Sequence, residues 1–214
     1  MISLLRTDSR PPPLLGAVLL GLTVFVTGKF GVDLSRLSDN VAAIWLTNAI
    51  PLAILLARPR REWWLYAAAA GVANLAMNAL HGDGFPLAAG FAVCNVGEFL
   101  AAAALLDRFR AVDILSSLRS LLLFFGLAAV LSTGVAAALG AVVVSHAVGA
   151  PFLKVWSTWW IADAVGMIVV TPALAAWFRR DRHFRLTPGA VAEYAAIAAG
   201  LATATYLGAD SLLA

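Results

Sequence analysis

Asp163 stands within 24 predominantly apolar residues, Val155 to Phe178, a run long enough to cross a bilayer. The chemistry open to a carboxylate at that depth is binding. A charge in hydrocarbon is costly, so the group must face a protein interior or a wet cavity and hold a partner there. Read as a helix, the run puts Trp156, Trp159 and Trp160 on the side of Asp163, at offsets of 7, 4 and 3 residues. A second carboxylate, Glu98, follows Asn95 by three residues in another apolar run, and Asn48, Asn74 and Asn78 interrupt two more. No Lys or Arg lies inside these runs to neutralise Asp163. Its partners must be amides, hydroxyls, water, a proton or an imported cation.

Depth sorts these residues. At about 1.5 Å per residue from the outer end of each run, Asn48 and Asn74 lie about 10 Å deep, Asp163 about 12 Å, Asn95 about 15 Å and Glu98 about 20 Å. Four helices thus bring polar groups to one slab, with Glu98 deepest. The structural account of such a layer is helix-to-helix glue, at about 0.6 kcal/mol per contact. The functional account is a ligand or ion pocket open to the outside, lined by Trp159 or Trp160, with the carboxylates at its floor. Burying a carboxylate costs more than burying an amide, which favours the second account for Asp163 and Glu98.

Other chemistries are weaker. His81, His146 and His183 fall far apart and on opposite sides, so no metal site is expected from them. Ser132, Thr133 and Ser145 have no membrane-embedded histidine nearby to activate them. Gly126, Gly134 and Gly140 suit close helix packing. The lone Cys94 excludes disulfide frameworks and cysteine-based zinc sites.

The elements that must position the polar layer are transmembrane helices. Of 214 residues, 62% are hydrophobic and only 13% charged, about half the charge of a soluble domain. Apolar runs predict an all-α, polytopic helix bundle of seven spans: Leu14–Phe30, Val41–Leu56, Trp63–Leu80, Phe85–Leu106, Leu118–Val148, Val155–Phe178 and Pro188–Gly208. The fifth could be one long tilted helix or two short ones broken near Ser132-Thr133-Gly134. Loop charge decides, because Lys and Arg collect on the cytoplasmic side. Seven spans with a cytoplasmic N-terminus put 12 of the 15 Lys and Arg inside and Lys29, Arg36 and Lys154 outside; splitting the fifth run moves the four arginines of 179–185 outside and weakens that bias. One long span is expected.

Trp63 and Trp64, after Arg60-Arg61-Glu62, look like an aromatic anchor at headgroup level. Pro11-Pro12-Pro13 and Thr187-Pro188 sit at helix starts. The first run lacks a small-residue cleavage site and reads as an anchor, not a removed signal peptide. The domains expected are a cytoplasmic segment 1–13, one integral membrane domain 14–208 and a short external tail 209–214. An odd span count leaves Ala214 outside, which fits truncation before a further helix and output module. Basic residues in short loops explain the high pI through topology, and no nucleic-acid partner is expected.

Several motifs resemble a known family. Ile44-Trp45-Leu46-Thr47-Asn48-Ala49-Ile50 resembles its early tryptophan-to-asparagine motif, with leucine where proline often follows the tryptophan. Asn74 resembles its third-helix asparagine, and Asn95-Val-Gly97-Glu98 its asparagine-to-glutamate motif. Trp159-Trp160-Ile-Ala-Asp163-Ala-Val-Gly166 through Thr171-Pro172 resembles its closing signature. The family is the membrane-associated sensor domain, first class, and the likeness covers roughly Leu14 to Phe178. It implies a multi-pass sensory input domain, usually of about eight helices, in the bacterial cytoplasmic (inner) membrane. Such domains precede histidine kinase, diguanylate cyclase or phosphodiesterase modules.

The resulting expectation is a signal-transduction receptor domain, of two-component or cyclic-dinucleotide type. Its ligand-binding or signalling residues would be Asp163, Glu98, Asn95, Asn74, Asn48, Trp159, Trp160 and Trp45. The chain itself is expected to be no enzyme; kinase or cyclase activity would belong to the output module. Its ligand and any cofactor are left open. Expected partners are the lipid bilayer, a membrane receptor or transporter, the downstream module and a second copy in a homodimer. The rival reading is a small transporter or transporter subunit using the intramembrane carboxylates, against which no repeated half or twin interrupted helix is evident. An intramembrane enzyme using Asp163 and Glu98 as acid and base, or a scaffold, are more remote alternatives.

Overall fold

A computed structural model describes residues 11–37 and 45–179, with side chains at 11–33 and 45–178. The chain is all-helical there, with no strand among the described residues. Four helical segments are long and apolar enough to cross a membrane: Pro13–Asp33, Phe85–Arg108, Leu118–Val148 and Phe152–Phe178. These correspond to the first, fourth, fifth and sixth expected spans. The seventh, Pro188–Gly208, lies outside the described residues, as do the arginines of 180–185, the segment 1–10 and the tail 209–214.

The helices are α1 (Pro13–Leu37), α2 (Ala49–Ala57), α3 (Trp63–Leu80), α4 (Phe85–Arg108), α5 (Leu118–Leu123), α6 (Thr133–Val148) and α7 (Phe152–Arg179), with a π-helical stretch, Phe124–Ser132, joining α5 to α6. The third expected span keeps its bounds in α3, but two asparagines, two tryptophans and a tyrosine leave it less apolar than the four. The second is corrected. α2 has nine residues, about 14 Å of helix, too short to cross hydrocarbon about 30 Å thick. Residues 45–48 are not helical. Pro51 explains the start: inside a longer helix its ring would strike the carbonyl of Thr47, whereas in the first turn it costs little.

Non-helical backbone at membrane depth survives only where protein covers it and satisfies it. Both conditions hold. Thr47 and Asn48 are each 1% exposed, and the Trp45 N–H donates to the Ala162 carbonyl of α7 at 3.1 Å. Gly166, one turn further along α7, lets the Trp45 carbonyl lie against the helix, where a β-carbon would overlap it.

α4 is the central helix, packed on α2, α3, α6 and the π-helical stretch, while α1 packs on α3. Small residues make these approaches close: Ala67, Ala70 and Ala73 on α3, Ala88, Ala92, Ala102 and Ala103 on α4, and Ala136, Ala137, Gly140 and Ala141 on α6 are all buried. This is the packing of helices in lipid, where burying apolar surface supplies little drive and close contact must. Outward faces are apolar, as on α1, where Leu14, Val18, Leu22 and Val26 are exposed and Ala17, Leu20 and Val24 buried.

The 31 residues from Leu118 to Val148 run as one span. Ser117 caps it, its Oγ accepting the Ser120 N–H at 3.1 Å. Gly149 ends it at φ 73°, the left-handed conformation that glycine adopts without strain. At the suspected break the register changes from π to α instead. There Ser132 Oγ donates to the Leu127 carbonyl at 2.7 Å and Thr133 Oγ1 to the Ala129 carbonyl at 2.6 Å. Gly134 and Gly140 each meet a tryptophan of α7, as close packing requires, but Gly126 meets nothing within 4 Å.

Charged ends sort to two levels. Arg58 donates to the Pro11 carbonyl at 3.1 Å and Arg60 pairs with Asp107 at 3.3 Å, which gathers the start of α1, the α2–α3 junction and the end of α4. His81 meets Asp33 at 3.2 Å, joining the far ends of α1 and α3. The anchor pair also divides. Trp64 is 69% exposed, but Trp63 is 8% exposed and donates its Nε1 proton to the Leu55 carbonyl at 2.9 Å. The turn is so short that the first tryptophan of α3 must pack back on α2. Trp63→Phe is therefore expected to lower stability by about 1 kcal/mol and Trp64→Phe to leave it unchanged, measured by reversible detergent unfolding.

Candidate functional site

Three elements converge on one buried polar cluster. α4 supplies Asn95 and Glu98, three residues apart and so on one face, 4% and 1% exposed. α7 supplies Asp163, 1% exposed, with Trp159 a turn before it. The residue ahead of α2 supplies Asn48. Its Nδ2 donates to Asn95 Oδ1 at 2.9 Å and to Asp163 Oδ2 at 3.4 Å. Trp159 Nε1 donates to the same Asp163 Oδ2 at 2.8 Å. Glu98 lies beside both Asp163 and Asn48, with no hydrogen bond formed to either.

The donors are spent unevenly. Asp163 Oδ1, both Glu98 oxygens and Asn48 Oδ1 are buried without a hydrogen-bond partner. The ion pairs among the described residues, Lys29–Asp33, Arg58–Glu62, Arg60–Asp107 and His81–Asp33, include neither Asp163 nor Glu98. Two carboxyls thus face each other with no cationic side chain among the described residues bonded to either. In so apolar a surrounding both cannot carry charge unless a proton or cation lies with them.

Trp159 is held for its role. Its ring fills the notch left by Gly140, where a β-carbon would overlap it, and meets Phe91 edge to face at 5.5 Å and 68°. Trp156 and Trp160 do not join it. Their rings stack at 5.0 Å, and their Nε1 groups donate to the Gly134 carbonyl at 3.0 Å and the Val130 carbonyl at 3.1 Å. The expected stripe of α7 therefore splits: Trp159 serves the carboxylate, and the other two clamp the fifth span beside its change of register. Trp159→Phe keeps a ring in the notch and removes one donor from Asp163. Its expected cost is about 1–2 kcal/mol, read as a lower midpoint of detergent unfolding.

Asn74 and Trp45 stand apart from this cluster. Asn78 Nδ2 donates to both the carbonyl and Oδ1 of Asn74, each at 2.9 Å, while Asn74 Nδ2 has no partner. The Trp45 ring packs against Gly31 of α1, and its Nε1 is unpartnered. Trp45 reaches the site only through its backbone. Thr171, outside the expected set, completes the seam: its Oγ1 donates to the Ala49 carbonyl at 3.1 Å and fastens the first turn of α2 to α7. Gly166 and Thr171 both stand in the closing motif, and their spacing after Asp163, by three and eight residues, is the signal that placed them on its face.

The arrangement gathers hydrogen-bond acceptors suited to binding. Among the described residues no group of three or more His, Cys, Asp and Glu converges as a metal-ligand set. The family model described as MASE1 matches residues 16–214. None of the curated proteins and none of the solved structures compared matches the chain.

Proposed function

The chain belongs to MASE1, a membrane-associated sensor domain family, and from that premise we propose that it is the signal-input part of a bacterial signal-transduction protein. It crosses the cytoplasmic membrane seven times with its N-terminus inside, the second passage being made by α2 together with the covered, non-helical chain ahead of it. Its stimulus acts on Asn48, Asn95, Glu98 and Asp163 and shifts the packing of α2, α4 and α7. The movement passes along α7 toward a kinase or cyclase output module. The observation that carries this reading is the pair of buried carboxyls on separate helices with no cationic side chain among the described residues bonded to either. Such an arrangement strains a fold and is retained where something binds. A stimulus can drive the change only if it binds two packings unequally, and a charge-bearing seam between three helices offers that difference.

Topology has its own support. The ends joined by Arg58, Arg60 and Asp107 carry the arginines of the inner loops, and the opposite end holds Lys29, Asp33 and His81. Output from the native full-length polypeptide is the test of function: Glu98→Gln and Asp163→Asn each abolish the response, and an unchanged response in both removes the cluster from the mechanism.

One observation favours the transporter reading. α2 is interrupted beside the carboxylates, as helices often are at the ion sites of transporters. Uptake or proton flux in liposomes holding this chain alone would establish transport, and its absence at high protein load would exclude it.

A further inference from the structure

The four orphaned atoms of the cluster have one chemical character. Glu98 Oε1 and Oε2, Asp163 Oδ1 and Asn48 Oδ1 are all hydrogen-bond acceptors. The cluster's bonded donors, Asn48 Nδ2 and Trp159 Nε1, are already spent on Asn95 Oδ1 and Asp163 Oδ2. One proton shared by the two carboxyls would meet two of these four oxygens and leave the other two unmet, whereas a cation among them meets all four.

Charge fixes its valence. Asp163 accepts two bonds, one of them from Asn48 at the start of α2, the positive end of a helix dipole of about half a charge. Glu98 accepts none of the hydrogen bonds seen. Two carboxylates against about half a positive charge leave a net negative charge of between one and two, most of which one small cation can balance. At equal size a divalent ion costs about four times as much to dehydrate as a monovalent one, and magnesium retains most of its water. A soft metal would require thiolates or imidazoles. Cys94 lies near Glu98 on α4, but no set of three such ligands forms among the described residues.

We propose that Glu98, Asp163 and Asn48 bind one monovalent, oxygen-coordinated cation of the sodium or potassium class. This inference rests on the sensory reading and names its ligand, at a site whose occupant the sequence left open. An occupied site draws α2, α4 and α7 together through one ion. An empty one leaves two carboxyls facing each other and pushes α4 from α7. The non-helical residues ahead of α2 let Asn48 follow either state.

The experiment uses the purified full chain in nanodiscs at fixed pH and ionic strength, with sodium or potassium chloride replacing N-methylglucamine chloride. Tryptophan emission, to which Trp159 contributes beside Asp163, and the thermal unfolding midpoint are followed. A saturable emission change and a midpoint rising with one alkali cation are expected. In Glu98→Gln the apparent affinity should fall by about tenfold or more while the circular-dichroism helicity is kept. Three results overturn the proposal: no alkali response in the wild type, a response to pH alone, or an undiminished response in Glu98→Gln. Read with the signalling test, the failures separate. Signalling lost in Glu98→Gln without any cation response sinks the cation and keeps the sensory site. A cation response lost in a variant that still signals does the reverse.

Discussion

Replacing Gly166 by alanine is expected to prevent the bundle from closing, the largest loss of stability that any single methyl group should cause in this protein. The new β-carbon would overlap the Trp45 carbonyl oxygen and lie 2.9 Å from the carbonyl carbon. Backbone cannot swing aside as a side chain can, so the whole segment 45–48 would have to leave α7. That would break the Trp45-to-Ala162 bond, strain the Thr171-to-Ala49 bond and carry Asn48 away from Asp163. Overpacking of this kind costs about 3 kcal/mol or more when the neighbour cannot yield. The purified variant should unfold at markedly lower detergent fraction and be cleaved by protease near residues 45–48. Gly97→Ala and Gly126→Ala serve as controls, since nothing lies within 4 Å of either new carbon. Both should match or slightly exceed the wild type, alanine being the better helix former by about 1 kcal/mol. Gly140→Ala should fall between, because the obstacle there is the Trp159 ring, which can move at the expense of its bond to Asp163.

Asp163→Asn and Glu98→Gln are expected to separate function from stability. Each keeps the shape of the side chain and removes a charge. The amide that replaces the Asp163 carboxylate can still accept from Trp159, so little bonding is lost. What disappears is the conflict between two buried carboxyls. In buffer free of alkali cations both variants should be as stable as the wild type or more so, by up to about 1–2 kcal/mol, as often follows when buried charge is replaced. Signalling in the full-length polypeptide should be lost in both. Helix glue behaves oppositely, its removal lowering stability and activity together. The Asn48→Ala variant gives the contrast: it deletes the bond to Asn95 and should destabilise by about 1 kcal/mol.

Much of this site was legible as depth. Asn48, Asn95, Glu98 and Asp163 interrupt three separate apolar runs, and a rise of about 1.5 Å per residue sets them at neighbouring levels. Depth carries no azimuth, however. Asn74 shares the level yet bonds with Asn78 along its own helix, and Trp160 shares a face with Asp163 yet turns to Val130. Helical offsets of three and four span an arc wide enough to touch two neighbours, and packing selects between them. The break ahead of α2 was hidden because residues 41–56 are apolar but for Thr47 and Asn48; Pro51 was its local signal, and it became decisive once Asn48 had to reach α7. The π-helical stretch has no composition of its own, and its carbonyls are met by Ser132, Thr133 and the Trp160 indole, each with commoner explanations. Trp63 was misplaced for a similar reason: neighbouring arginines mark an interface, but a short turn behind the tryptophan draws it inward.

The central claim is that two carboxyls on α4 and α7 are kept, against stability, to receive a stimulus. Its most direct measurement pairs unfolding free energy with output signalling for Glu98→Gln in the full-length protein without alkali cations. Stability equal to or above the wild type together with abolished signalling is the expected result. A variant that loses stability and retains its signal in proportion to the folded fraction would contradict it.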